Sequence, residues 1–292
     1  MTDRIDPIIL GGTLFIPATH KNLLAVVNAE KYPTLRSVVV DTEDSVSEYD
    51  FNDAMRRVKN MLVDFTKSPL LVFIRPRNED VLKELLTYEK INKIDGFILP
   101  KFSLENADGY LNSLEDSKHF VMPSIEGLEL FNQLQLLKLK DKLLPYKEKI
   151  VLIRFGLEDM LRQLKMKRKC EDSIFDFSAT NAVLGNFIAA FKSSGFDISG
   201  GVYPCFKDID GFKKDVLRDL KEGLFSKTII HPSQIDIINE LYRVTQKEFN
   251  EAQELCNSED AIFNQDGKMA ETTTMNPYAK NIIKRAKIYG IS

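Results

Sequence analysis

The sequence predicts an α/β protein built as a (β/α)8 TIM barrel with a C-terminal helical extension or lid, and three observations carry that expectation. Short β-branched runs alternate with longer amphipathic segments almost from end to end, the pattern of parallel strands joined by crossover helices. The runs are near-continuously apolar, as suits a sheet whose outer face is covered by helices. The first run leads into IPATHKN, which lacks the glycine-rich phosphate turn that an open doubly wound sheet normally shows at that point.

The expected strands follow in order. Thr13 to Pro17 (TLFIP) is the first and Ser37 to Asp44 (SVVVDTED) the second, in which an apolar run ends in Asp41, Glu43 and Asp44. Leu70 to Pro76 (LLVFIRP), Asp95 to Lys101 (DGFILPK) and His119 to Glu126 (HFVMPSIE) come next. Ile150 to Gly156 (IVLIRFG), Ile198 to Pro204 (ISGGVYP) and Ser226 to Pro232 (SKTIIHP) complete the set of eight. Between them lie stretches such as Asp50 to Phe65, which opens on an acidic cap and repeats apolar residues at helical spacing. Eight such units in about 250 residues are the length of one barrel. Beyond Cys256 the composition changes to a polar, Thr-rich stretch and a terminal helix, so residues 1–257 are expected to form the barrel and residues 258–292 the extension or lid.

The 292 residues are 43% apolar and 28% charged, an ordinary globular composition. A formal net charge of −3 offers no basic face for nucleic acid. The longest uncharged N-terminal run, PIILGGTLFIPATH, is too short and too broken to span a bilayer and lacks the marks of a secretory signal. Cys170, Cys205 and Cys256 are scattered and odd in number, so neither a disulfide framework nor a cysteine metal site is expected, and a reduced, cytoplasmic protein is.

In a barrel of this kind the chemistry lies at the C-terminal ends of the strands. Those ends carry Asp41, Glu43 and Asp44, then Arg75 with Arg77, Lys101, Glu126, the pair Glu158 and Asp159, and His231. One acid at a strand end is more often a helix cap or a solvated turn; the argument rests on convergence around one rim. Carboxylates from several strands, unmatched by Cys or His clusters, suit a hard divalent ion such as Mg2+. Arg75 has the bidentate fork to grip a substrate carboxylate. Such parts would bind an oxo-acid or acyl substrate and stabilise an enolate. A Schiff-base aldolase would need a desolvated lysine, for which Lys101 is the one good candidate. No Gly-x-Ser-x-Gly elbow or phosphate loop is present.

The motifs LFIPATHKN, VVVDTEDSV, VFIRPRN, ILPKF, PSIEG, IRFGLEDM and KTIIHPSQIDIIN, in that order, resemble the HpcH/HpaI aldolase and citrate lyase beta-subunit superfamily, and the likeness resumes weakly at DGKMAE. The resemblance implies a Mg2+-dependent carbon–carbon lyase on a (β/α)8 barrel and a homo-oligomer, often a trimer. It implies that Glu126 and Asp159 hold the metal, that Arg75 binds the substrate carboxylate, and that Glu43 and Asp44 hold metal-bound waters. It also places a lid acid, donated across a subunit interface in some members, near Glu271. Arg77 stands where the family usually has asparagine and adds a second cation beside Arg75; Lys101 completes the expected substrate-binding set. Members that use coenzyme A thioesters often carry a basic residue before the first strand, where this chain has Gly11 and Gly12. The substrate is therefore left open between a free oxo-acid and an acyl thioester. The alternative is a carrier-dependent or non-catalytic acyl-binding subunit of a larger complex. Asp41 is given no role.

Overall fold

Strand register, rather than any one residue, sets the geometry of the barrel. The computed structural model describes residues 4–292, and seven strands among them form one parallel sheet: β1 (Thr13–Pro17), β2 (Ser37–Asp41), β3 (Leu71–Arg75), β4 (Gly96–Leu99), β5 (Phe120–Ile125), β6 (Arg154–Phe155) and β7 (Thr228–Ile229). Their order is β6-β5-β4-β3-β2-β1-β7, so β1 pairs with both β2 and β7. The gap between β6 and β7 is filled by the segment around Ile198. The Ser199 amide donates to the Ile153 carbonyl (3.1 Å) on one side, and the Phe225 and Thr228 amides donate to the carbonyls of Ile198 (3.2 Å) and Gly200 (3.1 Å) on the other.

That segment was expected to be the seventh of eight strands, but it forms only a single parallel bridge, Ile153 to Ile198. The reason lies in its next residues. The carbonyls of Gly201 and Val202 accept instead from Lys227 Nζ and from the Arg168 guanidinium, each at 2.8 Å, and the paired glycines weaken strand pairing further. Lys227 is fully buried and also bonds Asp215 Oδ2 and Asp219 Oδ2, each at 2.6 Å, while Arg168 Nη1 stands 3.4 Å from Asp215 Oδ1. This buried ion network ties the end of the segment to the helix Ile209–Lys221.

Because side chains alternate along a strand, residues two apart share a face. Val39, Phe73, Met122 and Leu152 belong to one buried cluster inside the barrel. Two positions further along the same strands stand Asp41, Arg75, Ser124 and Arg154. The barrel thus changes from apolar to polar in one step toward its C-terminal mouth. Each fully buried side chain in the lower layer contributes about 2 kcal/mol from surface removed from water.

Helices cover the outside: α1 (Leu23–Val27), α2 (Phe51–Asp64), α3 (Glu79–Leu86), α4 (Ala107–Ser113), α5 (Gln133–Leu143), α6 (Leu157–Gln163), α7 (Ser178–Lys192) and α8 (Ile209–Lys221). In α2 the buried residues Ala54, Met55, Val58, Met61 and Leu62 recur at intervals of three and four, which turns one apolar stripe to the sheet. No helix among the described residues is long and apolar enough to cross a membrane. Spacing along the chain offers no reason to pair the cysteines, yet Cys170 and Cys205 form a disulfide with a Cα–Cα separation of 5.7 Å. The expectation of fully reduced cysteines is corrected here: the fold brings two residues from different barrel loops together, which spacing along the chain does not reveal. The Tyr203 hydroxyl, 2.7 Å from the Cys170 carbonyl, links the same two loops.

The chain divides into two compact units, the first ending at Ile235 and the second running Asp236–Ser292. The sequence placed a boundary at residue 257. The earlier division follows from packing within the second unit, where Val244, Ala252 and Leu255 share one apolar cluster with Ala270, Ala279, Ile282 and Ala286. This unit takes in α9 (Ile235–Leu241) from its second residue, then α10 (Gln246–Asn257), the hairpin of β8 (Ile262–Gln265) and β9 (Lys268–Glu271), and α11 (Thr272–Tyr289). Asp266 and Gly267 at the hairpin tip both have positive φ, 51° and 79°, the pairing that a two-residue turn of this hand requires.

Replacing Lys227 with methionine should leave Asp215 and Asp219 buried with one fewer cation and cost about 3–5 kcal/mol. Urea unfolding at pH 7 reads this directly, and an unchanged midpoint would show that the network does not hold the barrel closed.

Candidate active site

The polar layer opens into a cavity of about 460 Å3 lined by Phe15, Asp41, Asp44, Arg75, Ser124, Glu126, Arg154, Glu158, Asp159 and Thr228, among others. Parallel register puts Asp41 of β2 directly beside Arg75 of β3. The two form a bidentate pair, Nε to Oδ1 at 2.6 Å and Nη2 to Oδ2 at 2.7 Å. Asp41 also accepts from the amides of Glu43 (3.0 Å) and Ser45 (3.1 Å), which folds the β2 loop back over the strand end. Burial works against the Asp41 charge, but the bonds from Arg75 outweigh it and hold the carboxyl below the usual carboxylate range. Asp41, without a role on sequence grounds, is therefore the residue that aims Arg75. The alternation argument discounted it, although the same alternation points it inward with Val39.

Arg75 reaches two further acids, Glu43 Oε2 at 2.9 Å and Asp44 Oδ2 at 3.4 Å. The contact to Glu43 is an ion pair without hydrogen-bond alignment, and Glu43 Oε2 is a buried oxygen with no hydrogen-bond donor. Burial pushes the Glu43 carboxyl up despite the two cations beside it. Lys101 Nζ bonds Glu43 Oε1 and lies 3.2 Å from Asp44 Oδ1. Arg75 and Lys101 thus bracket the Glu43–Asp44 pair from two strands.

Glu126 follows β5 and is buried. Its Oε1 accepts from the Lys101 amide at 2.7 Å and its Oε2 from Ser124 Oγ at 3.3 Å. Lys101 takes a left-handed φ of 47° to present that amide. Burial, reinforced by the charge of Asp159, pushes the Glu126 carboxyl up to about 7. Asp159, in the first turn of α6, is held by Arg162 (2.6 Å). Gly156 makes room for the pair: a Cβ there would collide with Cβ and Oε2 of Glu126.

Arg77 and His231, in the first unit, do not line this cavity. Arg77 stacks on the Phe51 ring at 4.2 Å and bonds the Val46 carbonyl (2.9 Å) and Glu48 (2.5 Å), so it shapes the β2–α2 loop. His231 caps the turn after β7, its Nδ1 2.8 Å from Ser233 Oγ, and stacks on Phe206. Glu271 belongs to the second unit, where it accepts from Thr274 Oγ1 at 3.0 Å. One charged cavity residue escaped the sequence reading altogether. Arg154 lies inside the apolar run IVLIRFG and reads there as strand interior; its place two residues before Gly156, at a strand end, is the signal that could have found it.

Among the described residues, no group of three or more His, Cys, Asp or Glu side chains converges as a metal cage. Glu126 and Asp159 instead offer two carboxylates facing one cavity. An all-oxygen pair of this kind fits Mg2+, which binds through one or two carboxylates and keeps several waters.

A family model described as C–C bond lyase of the TIM-barrel fold matches residues 4–291. The chain belongs to this C–C bond lyase family. The superfamily resemblance carried by the strand-end motifs agrees with it. The chain is 24% identical over 243 residues to a (3S)-malyl-CoA thioesterase of Cereibacter sphaeroides, covering 82% of this chain and 72% of that protein. It is 26% identical over 151 residues to the citrate lyase subunit beta of Escherichia coli K12, covering 49% of this chain and 48% of that protein, so the match spans about half the relative's length. The fold is that of the CitE protein from Mycobacterium tuberculosis in complex with magnesium, acetoacetate and coenzyme A, with a TM-score of 0.71 at 19% identity over 96% of this chain and 99% of that one. RipC from Yersinia pestis shares it with a TM-score of 0.62 at 20% identity, over 83% of this chain and 99% of that one.

In the metal-free protein the Glu126 carboxyl should titrate near pH 7, and Asp159→Asn should move its midpoint down toward the ordinary 4.5. Carbon-13 NMR of labelled glutamate measures both; an unchanged midpoint in Asp159→Asn would remove the coupling between the two acids, and a wild-type midpoint near 4.5 would remove the larger effect of burial as well.

Proposed function

We propose that this protein is a Mg2+-dependent carbon–carbon lyase acting on an oxo-acid or an acyl thioester. The observation that carries the reading is the pairing of Glu126 and Asp159 across one cavity with Arg75 and its acids. Glu126 and Asp159 would hold the ion. Bound there, Mg2+ supplies Lewis-acid polarisation of a carbonyl and electrostatic stabilisation of the enolate left by bond cleavage.

The protein's own groups do the rest. Asp41 fixes the plane of Arg75, and Nη1, which stands against Glu43 and Asp44, is the group a substrate carboxylate would share. Lys101 and Arg75 offset part of the burial that raises Glu43 and help hold Asp44 below the ordinary carboxylate range, and these acids orient water near the metal carboxylates. A proton must also be moved. Asp44 is half exposed and lines the cavity, which suits it to proton transfer through water. Glu271 is the second candidate, on the strength of the family resemblance.

Acyl thioesters enter the reading because one relative is named as a malyl-CoA thioesterase. Another relative is named as a lyase subunit, which favours a carrier-dependent or non-catalytic acyl-binding subunit as the second reading. Turnover of free oxo-acids or acyl-CoA by the isolated protein separates the two.

Glu126→Gln and Asp159→Asn should each abolish Mg2+ binding in isothermal titration and lower turnover by at least about 100-fold, and turnover near that of wild type in either variant would overturn the assignment. Glu43→Gln or Asp44→Asn should weaken Mg2+ binding only about tenfold. Because Glu126 must lose its proton to bind a cation, Mg2+ affinity should fall as pH drops below about 7.

A further inference from the structure

Arg154 is a buried cation with no contact ion pair, and Glu126 attracts it only from beyond 4.0 Å. Its guanidinium donates to Thr228 Oγ1, packs 4.9 Å from the Phe15 ring centre and has the Met122 thioether 3.9 Å from Nη1. Among the described residues no carboxylate lies within 4.0 Å of it, whereas the other fully buried cations of the barrel, Arg168 and Lys227, each face one. The residue is only 4% exposed, yet it lines the cavity. Taking a guanidinium out of water costs several kcal/mol, and a hydroxyl, an aromatic face and a thioether do not neutralise it.

Arg75 is in the opposite state. It shares the Phe15 ring with Arg154, its Cζ 5.3 Å from the ring centre, but Asp41 occupies its fork and Glu43 and Asp44 stand at Nη1. The repulsion from Arg75 adds to the burial that lowers the Arg154 pKa to about 9. The cavity therefore contains one satisfied guanidinium and one unsatisfied guanidinium side by side. An oxyanion on the Arg154 side would complete the charge pattern that the protein leaves open.

We propose that Arg154 binds a second oxyanion of the substrate, so that the site selects oxo-acids bearing a further carboxylate or phosphate over oxo-acids with a single anionic group. This rests on the oxo-acid reading of the cavity. The first carboxylate lies toward Arg75 and the carbonyl toward Glu126 and Asp159, and the second oxyanion reaches the β6–β7 side, against Thr228. Arg154 is then a specificity-determining residue, and Phe15 is the floor that keeps the two anionic ends apart.

The test is isothermal titration with Mg2+ present at pH 7.5, using pyruvate, oxaloacetate and 3-phosphonopyruvate as probes. Wild type should bind at least one of the two dianionic probes about tenfold or more tighter than pyruvate, and the tighter of the two shows whether carboxylate or phosphate is the natural group. Arg154→Met should lose that advantage while keeping its pyruvate affinity. Arg154→Lys retains the charge without the fork and should keep only part of the advantage, so it reports even where the methionine variant fails to fold by circular dichroism. The proposal is overturned by a wild type without preference or by a folded Arg154→Met that keeps the preference. Turnover with that preference intact in Arg154→Met would remove this inference and leave the lyase reading; discrimination through Arg154 without turnover of any substrate would do the reverse.

Discussion

The pairing of Asp41 with Arg75 is the constraint on which the rest of the site depends. It arises from register: β2 and β3 are aligned so that the last residue of one faces the last residue of the other. A slip of one residue would send Asp41 and Val39 to the outer face together and bring Val40 inward. The β2 loop, held by two amide bonds to the Asp41 carboxylate, would lose its anchor, and with it the positions of Glu43 and Asp44. A single cross-strand ion pair thus couples the closure of the barrel to the layout of charge at its mouth.

That layout is segregated. On the β2 to β4 side, two cations and three acids pair in a dense cluster, with Glu43 Oε2 against Arg75 as an ion pair but without a hydrogen bond. On the β5 to β6 side, Glu126 is pushed toward neutrality by burial and by Asp159, and Arg154 has no acid of its own. One half of the cavity is electrostatically complete and the other is held incomplete. Incomplete groups in a low-dielectric pocket are the ones whose energies change most when a ligand arrives.

Much of this was legible in the sequence. The strand positions from TLFIP to SIE could be placed because β-branched runs with polar ends leave few alternatives, and the acids and cations at those ends followed from the architecture. Three features were not legible. Arg154 is hidden because one charge in an apolar run reads as strand. The seventh strand is missing because side chains distant in sequence, Lys227 and Arg168, take up the carbonyls that would have paired. The Cys170–Cys205 bond depends on two loops meeting in space, which no local pattern encodes. In the last two cases a long-range partner overrides a local preference.

Lys101 shows what such an override costs. Its left-handed backbone would suit glycine, and a side chain there carries roughly 1 kcal/mol of strain. Its amide serves Glu126 through that strained geometry, a service that a glycine would perform equally well. Only the ammonium, between Glu43 and Asp44, distinguishes lysine from the easier residue. The strain therefore sets a floor on the worth of that charge: the cluster around Glu43 must gain at least as much from the ammonium as the backbone loses by accommodating it.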